Sequence, residues 1–290
     1  MNIADTRRYA YAQELQHIAH LESPALVAAF ATVPREQFLG PGPWNLLVVR
    51  DDGKLGYEPT ATSNPDDIYQ DVVVAIDPIR GLHNGQPQYL ARWMDRLGLN
   101  IGMEVVHVGC GTGYYTAILA EIVGPTGHIV AFEVDPDLAE RARANLNAYS
   151  QVDVVSTSAT DLVVDGADAI FVNCGVTMPP LRWLLSLRQN ARIVLPITAS
   201  PDDSGVGTGA MFRFVRERSG FSVDHLSPAA FFPCIGARDS ASNAKLLAKA
   251  DSEWLAPKSV RMDAHAEDST CWLHSDQYCL STVAINVHAA

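Results

Sequence analysis

Positive charge is scarce in this sequence: 21 lysines and arginines face 33 aspartates and glutamates, which gives a net charge of −12 at pH 7. No basic stripe offsets this deficit, so a phosphate backbone would be repelled and nucleic acid is not an expected partner. An uninterrupted apolar run as long as a bilayer span is also missing, and no apolar signal core follows Met1. We therefore expect a cytoplasmic protein without a membrane partner.

Cysteine is scarce as well, with five residues at positions 110, 174, 234, 271 and 279. The number is odd and no C-x-x-C pair occurs, so reduced thiols are the simplest account. Cys271, His274 and Cys279 have side chains suited to zinc, but a fourth ligand is not evident and we predict no metal. The 290 residues contain no internal repeat, and 48% hydrophobic with 19% charged residues is typical of a globular chain.

What the sequence does contain is a strand that ends in a glycine turn. Residues 105–113 read VVHVGCGTG, and an apolar stretch typical of a helix follows them. Glycines at 109, 111 and 113 allow a tight turn and a close approach of the backbone to a ligand. The G-x-G-x-G spacing is typical of enzymes that bind S-adenosylmethionine (SAM), whereas dinucleotide-binding turns favour G-x-G-x-x-G. We therefore predict a nucleotide-type cofactor and favour SAM over NAD.

The next predicted strand, residues 128–135, ends in carboxylates. Glu133 has the position of an acid that accepts hydrogen bonds from ribose hydroxyls. Asp135 is predicted to cap the following helix, with Pro136 at the first helical position. Strand, glycine turn, helix, strand and acid in this order support a cofactor site more strongly than the glycines alone.

Strands that alternate with helices predict an α/β fold with a doubly wound, mostly parallel sheet of the Rossmann-like type. We divide the chain into three parts. Residues 1–98 form N-terminal helices with a substrate or lid segment, residues 99–236 form the cofactor-binding core, and residues 237–290 form a β extension. The apolar content of this extension suggests packing on the core or on the partner of a homodimer.

Several segments between residues 33 and 197 resemble the protein-L-isoaspartyl O-methyltransferase family. They are VPREQF at 33–38, Gly85-Gln86-Pro87, the glycine turn with Glu133, the strand 168–172, and Val194-Leu195-Pro196. The resemblance implies SAM as the cofactor and methyl transfer as the activity. It runs from about residue 33 to residue 197 and leaves the C-terminal extension unmatched.

The sequence departs from that family at functional positions. The family usually carries Thr-x-Ser, with the serine near the substrate carboxylate, where residues 83–85 are His-Asn-Gly. It has Glu or Asp at the position of His107, and Asp at that of Ala159, for which Asp161 is the nearby substitute. We therefore predict a SAM-dependent methyltransferase with an altered acceptor, a small metabolite or modified peptide methylated on oxygen or nitrogen. The alternatives are genuine repair of L-isoaspartate and a non-catalytic SAM-binding adaptor.

Methyl transfer from a sulfonium needs mainly positioning, and a base helps only when the acceptor is a hydroxyl or an amine. His83 is the predicted base, although a solvated loop histidine is an equal interpretation, and a buried structural role is favoured for His107. The predicted catalytic residues are His83, Asn84 and Asn173. Cofactor binding is assigned to Gln86, His107, Gly109, Gly111, Thr112, Gly113, Tyr114, Glu133 and Asp161. Substrate contacts are assigned to Tyr69, Asp77, Gly85 and Thr177.

Overall fold

The computed structural model describes residues 3–161, 165–202 and 205–285. The helices are α1 (Ile3–Ala19), α2 (Pro24–Thr32), α3 (Arg35–Leu39), α4 (Pro87–Asp95), α5 (Tyr114–Val123), α6 (Pro136–Asn145), α7 (Leu181–Ser186) and α8 (Ser240–Leu247). The strands are β1 (Asn45–Val49), β2 (Leu55–Pro59), β3 (Ala75–Asp77), β4 (Leu82–His83), β5 (Glu104–Val108), β6 (His128–Phe132), β7 (Val152–Val155), β8 (Ala167–Val172), β9 (Leu187–Ala199), β10 (Gly207–Glu217), β11 (Gly220–Phe231), β12 (Ser259–Arg261), β13 (Cys271–His274) and β14 (Cys279–Ser281).

The chain separates into two compact units. Unit 1 consists of Met1–Gly102 with Cys110–Ser156, and unit 2 of Met103–Gly109 with Thr157–Ala290. The three-part division expected from the sequence stays a prediction. Within the described residues, every helix is too short or too polar to cross a lipid bilayer.

Unit 1 contains helices α1 to α6, the parallel pair β6 and β7, and two antiparallel hairpins, β1–β2 and β3–β4. Helix α6 begins as predicted, because the Asp135 carboxylate accepts the backbone N–H groups of Asp137 and Leu138 at 3.1 and 3.0 Å. The hairpin β1–β2 lies in a stretch that the sequence analysis did not assign to strands. Its apolar run Leu46 to Val49 was the available signal.

A buried arginine of the VPREQF segment organises the chain that leads to the β3–β4 hairpin. The guanidinium of Arg35 is fully buried and donates hydrogen bonds to the backbone carbonyls of Ile68, Gln70 and Val72. These three bonds compensate much of the cost of burying the guanidinium, whereas its Nε is buried without a partner among the described residues. Arg35 therefore fixes the path of residues 68–72, which include Asp71.

In unit 2, the strand order is β13-β14-β12-β11-β10-β9-β8-β5. Strands β5, β8 and β9 are parallel, as expected for the cofactor-binding half of an α/β sheet, and the neighbours from β9 onward are antiparallel. Buried apolar residues dominate β8, which fits a strand covered on both faces.

The C-terminal segment packs within unit 2. Trp272 lies edge to face with Phe212 and with Trp254, at ring distances of 6.0 and 5.6 Å. Its indole N–H donates to the carbonyl of Glu253 at 2.7 Å. The C-terminal segment therefore contacts β10 through Trp272. Strand β14 ends at Ser281, and residues 286–290 of the predicted β extension lie outside the described residues.

Candidate functional site

The glycine loop joins β5 to α5. The N–H of Gly113 donates to the carbonyl of Cys110 at 3.0 Å, which closes the turn. Gly113 has a φ of 93°, and a Cβ there would lie 2.7 Å from Cδ1 of Leu146. Only glycine fits such a position, because a side chain would be strained and would also collide with Leu146, the residue that follows α6. The loop therefore presents backbone rather than side chains, as a bound nucleotide requires.

Glu133 follows β6 and holds the loop from the side. Its Oε2 accepts the N–H of Gly111 at 2.8 Å, and its Oε1 accepts the N–H of Asp135 at 3.0 Å. Burial raises the pKa of Glu133, and the two N–H donors oppose this rise. A carboxylate has about four acceptor positions, so two backbone bonds leave capacity for ribose hydroxyls.

The β3–β4 hairpin lies against the same loop within unit 1. A Cβ on Gly111 would lie 3.4 Å from Cδ1 of Ile76 in β3. The turn of the hairpin is fastened by Arg80, which forms ion pairs with Asp77 and with Asp135. The structure therefore places Ile76 of this hairpin, whose second strand ends at His83, beside the glycine loop. Asp77, predicted to contact substrate, is instead engaged by Arg80, with 2.6 Å between Oδ2 and Nε.

Residues 83–85 form a tight bend at the end of the hairpin. The N–H of Gly85 donates to Nδ1 of His83 at 3.0 Å, so Nδ1 carries the lone pair and the neutral ring has its proton on Nε2. Burial lowers the pKa of His83 and keeps the ring neutral. The side-chain Nδ2 of Asn84 is buried and has no hydrogen-bond partner among the described residues. An unpaired buried donor of this kind is suited to a ligand.

Two further residues, Asp71 and Asn145, anchor the predicted site. Asp71 accepts a hydrogen bond from Nε2 of Gln86 and one from the N–H of Gln88, both at 2.7 Å. Asn145 donates to the carbonyl of Thr112 at 2.9 Å, while the Thr112 hydroxyl is buried without a partner among the described residues. The sequence does indicate that α4 needs a cap from elsewhere, because the residue before the helix is a glutamine, which is a poor N-cap. It does not indicate that Asp71 provides this cap. No comparable signal marks Asn145.

Two predicted aromatic contacts lie elsewhere. The hydroxyl of Tyr69 donates to Glu36 and accepts the N–H of Arg35, and its ring is buried. Tyr114 is fully buried, with its ring 5.7 Å from that of Phe38 in an edge contact. Packing in unit 1 accounts for both rings, which argues against their predicted contacts with substrate and cofactor.

In unit 2, His107 is a structural partner of Asn173. The His107 ring is fully buried, stacks on Phe171 at 5.5 Å, and burial lowers its pKa to about 3. Its Nε2 lies 2.9 Å from Nδ2 of Asn173, which donates to the neutral ring. Oδ1 of Asn173 is buried and lacks a hydrogen-bond partner among the described residues. A Cβ on Gly109 would lie 3.5 Å from the Asn173 carbonyl oxygen, so this asparagine borders the start of the glycine loop.

Thr177 lines a separate cavity of unit 2. The cavity has a volume of about 520 Å³, and Tyr278 and Arg238 also line it. The Thr177 hydroxyl accepts the N–H of Asp239 at 2.8 Å, so it supports the cavity wall. The side chain of Asp161, predicted to bind cofactor, lies outside the described part of the structure.

The family model described as Protein-L-isoaspartate(D-aspartate) O-methyltransferase matches residues 7–238. Two relatives named protein-L-isoaspartate O-methyltransferase are similar to this chain. The one from Ignicoccus hospitalis is 32% identical over 158 residues, which cover 51% of this chain and 70% of the relative. The one from Thermotoga maritima is 28% identical over 181 residues, covering 60% of this chain and 51% of the relative.

Solved structures show the same fold. A protein-L-isoaspartate O-methyltransferase superposes with a TM-score of 0.64 at 24% identity, covering 79% of this chain and 66% of that one. A Plasmodium falciparum chain solved in complex with S-adenosyl-L-homocysteine superposes with a TM-score of 0.59 at 16% identity. The superposition covers 78% of this chain and 97% of that one. The predicted Rossmann-like fold and SAM as cofactor are confirmed. The chain belongs to the protein-L-isoaspartate(D-aspartate) O-methyltransferase family and is a SAM-dependent methyltransferase.

Proposed function

We propose that this protein transfers the methyl group of SAM to the free carboxylate of an L-isoaspartyl residue in a peptide. The observation that carries the proposal is the family match over residues 7–238, joined by relatives that bear the name of this activity. These findings favour the repair alternative over the altered acceptor expected from the sequence. The local geometry of unit 1 supplies three further arguments.

The first argument concerns the base. A carboxylate is ionised at neutral pH and needs no proton removed before it attacks a methyl group. His83 accepts a hydrogen bond at Nδ1 from Gly85, so its neutral ring offers an N–H rather than a lone pair at Nε2. A donor suits a carboxylate acceptor, whereas a hydroxyl or amine acceptor would require the base that His83 does not provide. His83 is therefore proposed as a donor and not as the predicted base.

The second argument concerns the missing serine. Gly85 has a φ of 72°, and a Cβ there would lie 2.9 Å from Cδ2 of Leu90. A serine does not fit this conformation without strain, so the bend is built around glycine. The donor that the serine would supply is then proposed to come from Asn84, whose buried Nδ2 is unpaired among the described residues. An amide N–H can bind a carboxylate oxygen as a hydroxyl does.

The third argument concerns the cofactor. Bare backbone at Gly111 and Gly113, the Glu133 carboxylate and the Thr112 hydroxyl, which has no partner within the described part of the chain, form a polar cradle that fits an adenosine group. SAM supplies a methyl group already activated on a sulfonium, so the residues mainly bind and orient. Holding two reactants in line contributes roughly 7 to 11 kcal/mol to such reactions. Asp71 serves this purpose indirectly, because it fixes Gln86 and the start of α4.

An altered acceptor remains the second candidate, and the observation in its favour is the absent hydroxyl at residues 83–85. The test compares transfer of labelled methyl from SAM to an isoaspartyl peptide, to its aspartyl isomer and to a panel of small carboxylic acids, phenols and amines. Binding of S-adenosylhomocysteine is measured on the same preparation. Preference for the isoaspartyl peptide supports the proposal. Transfer only to a small molecule supports the second candidate, and binding without any transfer supports an adaptor.

A further inference from the structure

Four potential metal ligands converge in the C-terminal segment of unit 2. They are His265, Cys271, His274 and Cys279, whose ligand atoms all lie within 4.8 Å of one another. Cys271 and His274 stand at the two ends of β13, Cys279 begins β14, and His265 lies in the segment before β13. The antiparallel register places His274 directly opposite Cys279. The sequence predicts no metal, because only Cys271, His274 and Cys279 stand out in it, and the fold supplies His265 as a fourth potential ligand.

Two of the distances within this cluster are close to those of tetrahedral coordination. Nε2 of His265 lies 3.3 Å from Sγ of Cys271, and the same sulfur lies 3.7 Å from Nδ1 of His274. Zinc bonds of about 2.3 Å to sulfur and about 2.05 Å to nitrogen place such atoms about 3.6 Å apart in a tetrahedron. Two thiolates and two imidazoles are a ligand set that favours zinc over the hard cations magnesium and calcium.

Neighbouring groups orient the ligands. Nδ1 of His265 lies 2.7 Å from the carbonyl oxygen of Asp263, so that nitrogen donates and Nε2 faces the cluster with its lone pair. The N–H of Asp268 points to Sγ of Cys271 at 3.5 Å, a contact that stabilises a thiolate. Both contacts are typical of the groups that surround a bound metal, and neither involves the glycine loop or residues 83–86.

We propose that His265, Cys271, His274 and Cys279 bind one zinc ion in a structural site. Four protein ligands leave no coordination position for a substrate or water, so the ion stabilises the fold and does not take part in methyl transfer. The site lies beyond residue 238, where the family match ends, and it is independent of the proposed function.

The ion would fasten the β13–β14 hairpin to the segment before it. The turn of this hairpin contributes Ser275, Gln277 and Tyr278 to the cavity that Thr177 lines. The hydroxyl of Tyr278 donates to the carbonyl of Pro179. Zinc would therefore set the position of one wall of this cavity, and its loss would loosen that wall.

The test measures zinc in the full-length protein, purified without chelators or a metal-affinity tag, by elemental mass spectrometry and native mass spectrometry. We expect about one zinc per chain, bound by four ligands. His265→Ala and Cys271→Ser each remove a ligand and should weaken zinc affinity by more than the roughly 10- to 100-fold that follows from changing a group beside a ligand, so both variants should lose zinc on dialysis. Cys174→Ser, a thiol outside the cluster, should retain the wild-type content. Circular dichroism establishes that each variant is folded.

A second measurement uses the wild-type chain alone. After removal of metal under reducing conditions, Co²⁺ should produce the intense visible absorption bands of tetrahedral cobalt with thiolate ligands, and Zn²⁺ should abolish them. Three results would overturn the proposal: a folded protein that carries no zinc and takes up neither ion, a Cys271–Cys279 disulfide that makes the chain two hydrogens lighter, or unchanged zinc in both variants.

Discussion

The backbone N–H of Gly85 donates a hydrogen bond to Nδ1 of His83 across 3.0 Å. This bond fixes the tautomer of the imidazole and places the ring proton on Nε2. It also links the glycine that replaces a serine to the histidine that the sequence suggested as a base. This hydrogen bond therefore involves both residues that distinguish this bend from the family pattern, Gly85 in place of serine and His83 in place of threonine.

The first prediction concerns His83. Because the folded-state pKa of His83 is lowered, the ring is neutral at pH 7, and a donor role makes activity insensitive to pH between about 6.5 and 8. His83→Ala should lower kcat/KM for an isoaspartyl peptide about tenfold, the value of one or two hydrogen bonds. The shape of its pH profile should match the wild type. An acidic limb present in the wild type and lost in the variant would identify His83 as a base; His17→Ala, on an exposed helix face, is the control.

The second prediction concerns Asn84. Asn84→Asp keeps the shape of the side chain but replaces a donor by a carboxylate, which repels an anionic acceptor. We expect kcat/KM to fall about 100-fold, equivalent to roughly 2.7 kcal/mol, while binding of S-adenosylhomocysteine stays within about twofold. Asn100→Asp, in an exposed turn, should behave as the wild type. Full activity of Asn84→Asp would remove this residue from the acceptor site.

The third prediction concerns Glu133, the carboxylate expected to bind the ribose hydroxyls of the cofactor. Glu133→Gln retains one acceptor oxygen for the two N–H groups of Gly111 and Asp135 and removes the charge. Hydrogen bonds to a charged group contribute about 1.5 to 3 kcal/mol, so the Kd of S-adenosylhomocysteine should rise about 10- to 100-fold. Isothermal titration calorimetry measures this change. Glu140→Gln, exposed on α6, provides the matched control, and equal Kd values in both variants would contradict the assignment.

Sequence patterns predicted the elements of the fold well where local signals are strong. The glycine turn and the N-cap at Asp135 both occur as expected, because caps and turns depend on neighbouring residues. The sequence indicated only three of the four proposed zinc ligands. His265 was missed because its contact with Cys271 depends on how the loop before β13 folds. The roles of Tyr69 and Tyr114 were equally invisible, since burial in unit 1 is a property of packing.

Site residues divide in the same way. Glu133 and the glycines follow from a motif with fixed spacing, and the structure places them in contact. Asp71 contacts Gln86 across 15 positions of sequence, and no spacing rule reveals that pair. His83 was recognised as important, but its tautomer depends on a hydrogen bond that only coordinates can show.

The fourth prediction concerns Gly113 in the glycine loop. It uses Gly53, which lies outside the loop, to distinguish the cost of a steric collision from that of backbone strain. Gly113 and Gly53 have positive φ of 93° and 76°, but a Cβ would meet Leu146 at the first and nothing within 4 Å at the second. Gly53→Ala should destabilise the protein by about 1 to 2 kcal/mol. Gly113→Ala should lower the free energy of unfolding by about 1 to 3 kcal/mol more than Gly53→Ala does, because of the collision with Leu146. Urea unfolding measures both, and equal losses would show that the loop yields to the added methyl group.

The fifth prediction concerns the pH dependence of stability. The pKa of His107 is about 3 in the folded protein, below its unfolded value of about 6.5, so the unfolded chain binds more protons between these limits. Its stabilising contribution is therefore complete above pH 6.5 and is lost as the pH falls toward 3. Between pH 6.5 and 5 the wild type should lose about 2 kcal/mol more than His107→Gln, whose amide oxygen can still accept from Asn173. If the free energies of unfolding of the wild type and of His107→Gln changed equally with pH, the result would contradict this account.

The most direct test of the central claim offers the purified protein SAM together with equal amounts of an isoaspartyl peptide and its aspartyl isomer. Mass spectrometry then records which peptide gains a methyl group, and mild alkali determines whether the product is an ester. The account predicts a base-labile methyl ester on the isoaspartyl peptide and none on its isomer. Equal modification of both peptides, or an alkali-stable methyl group, would contradict it.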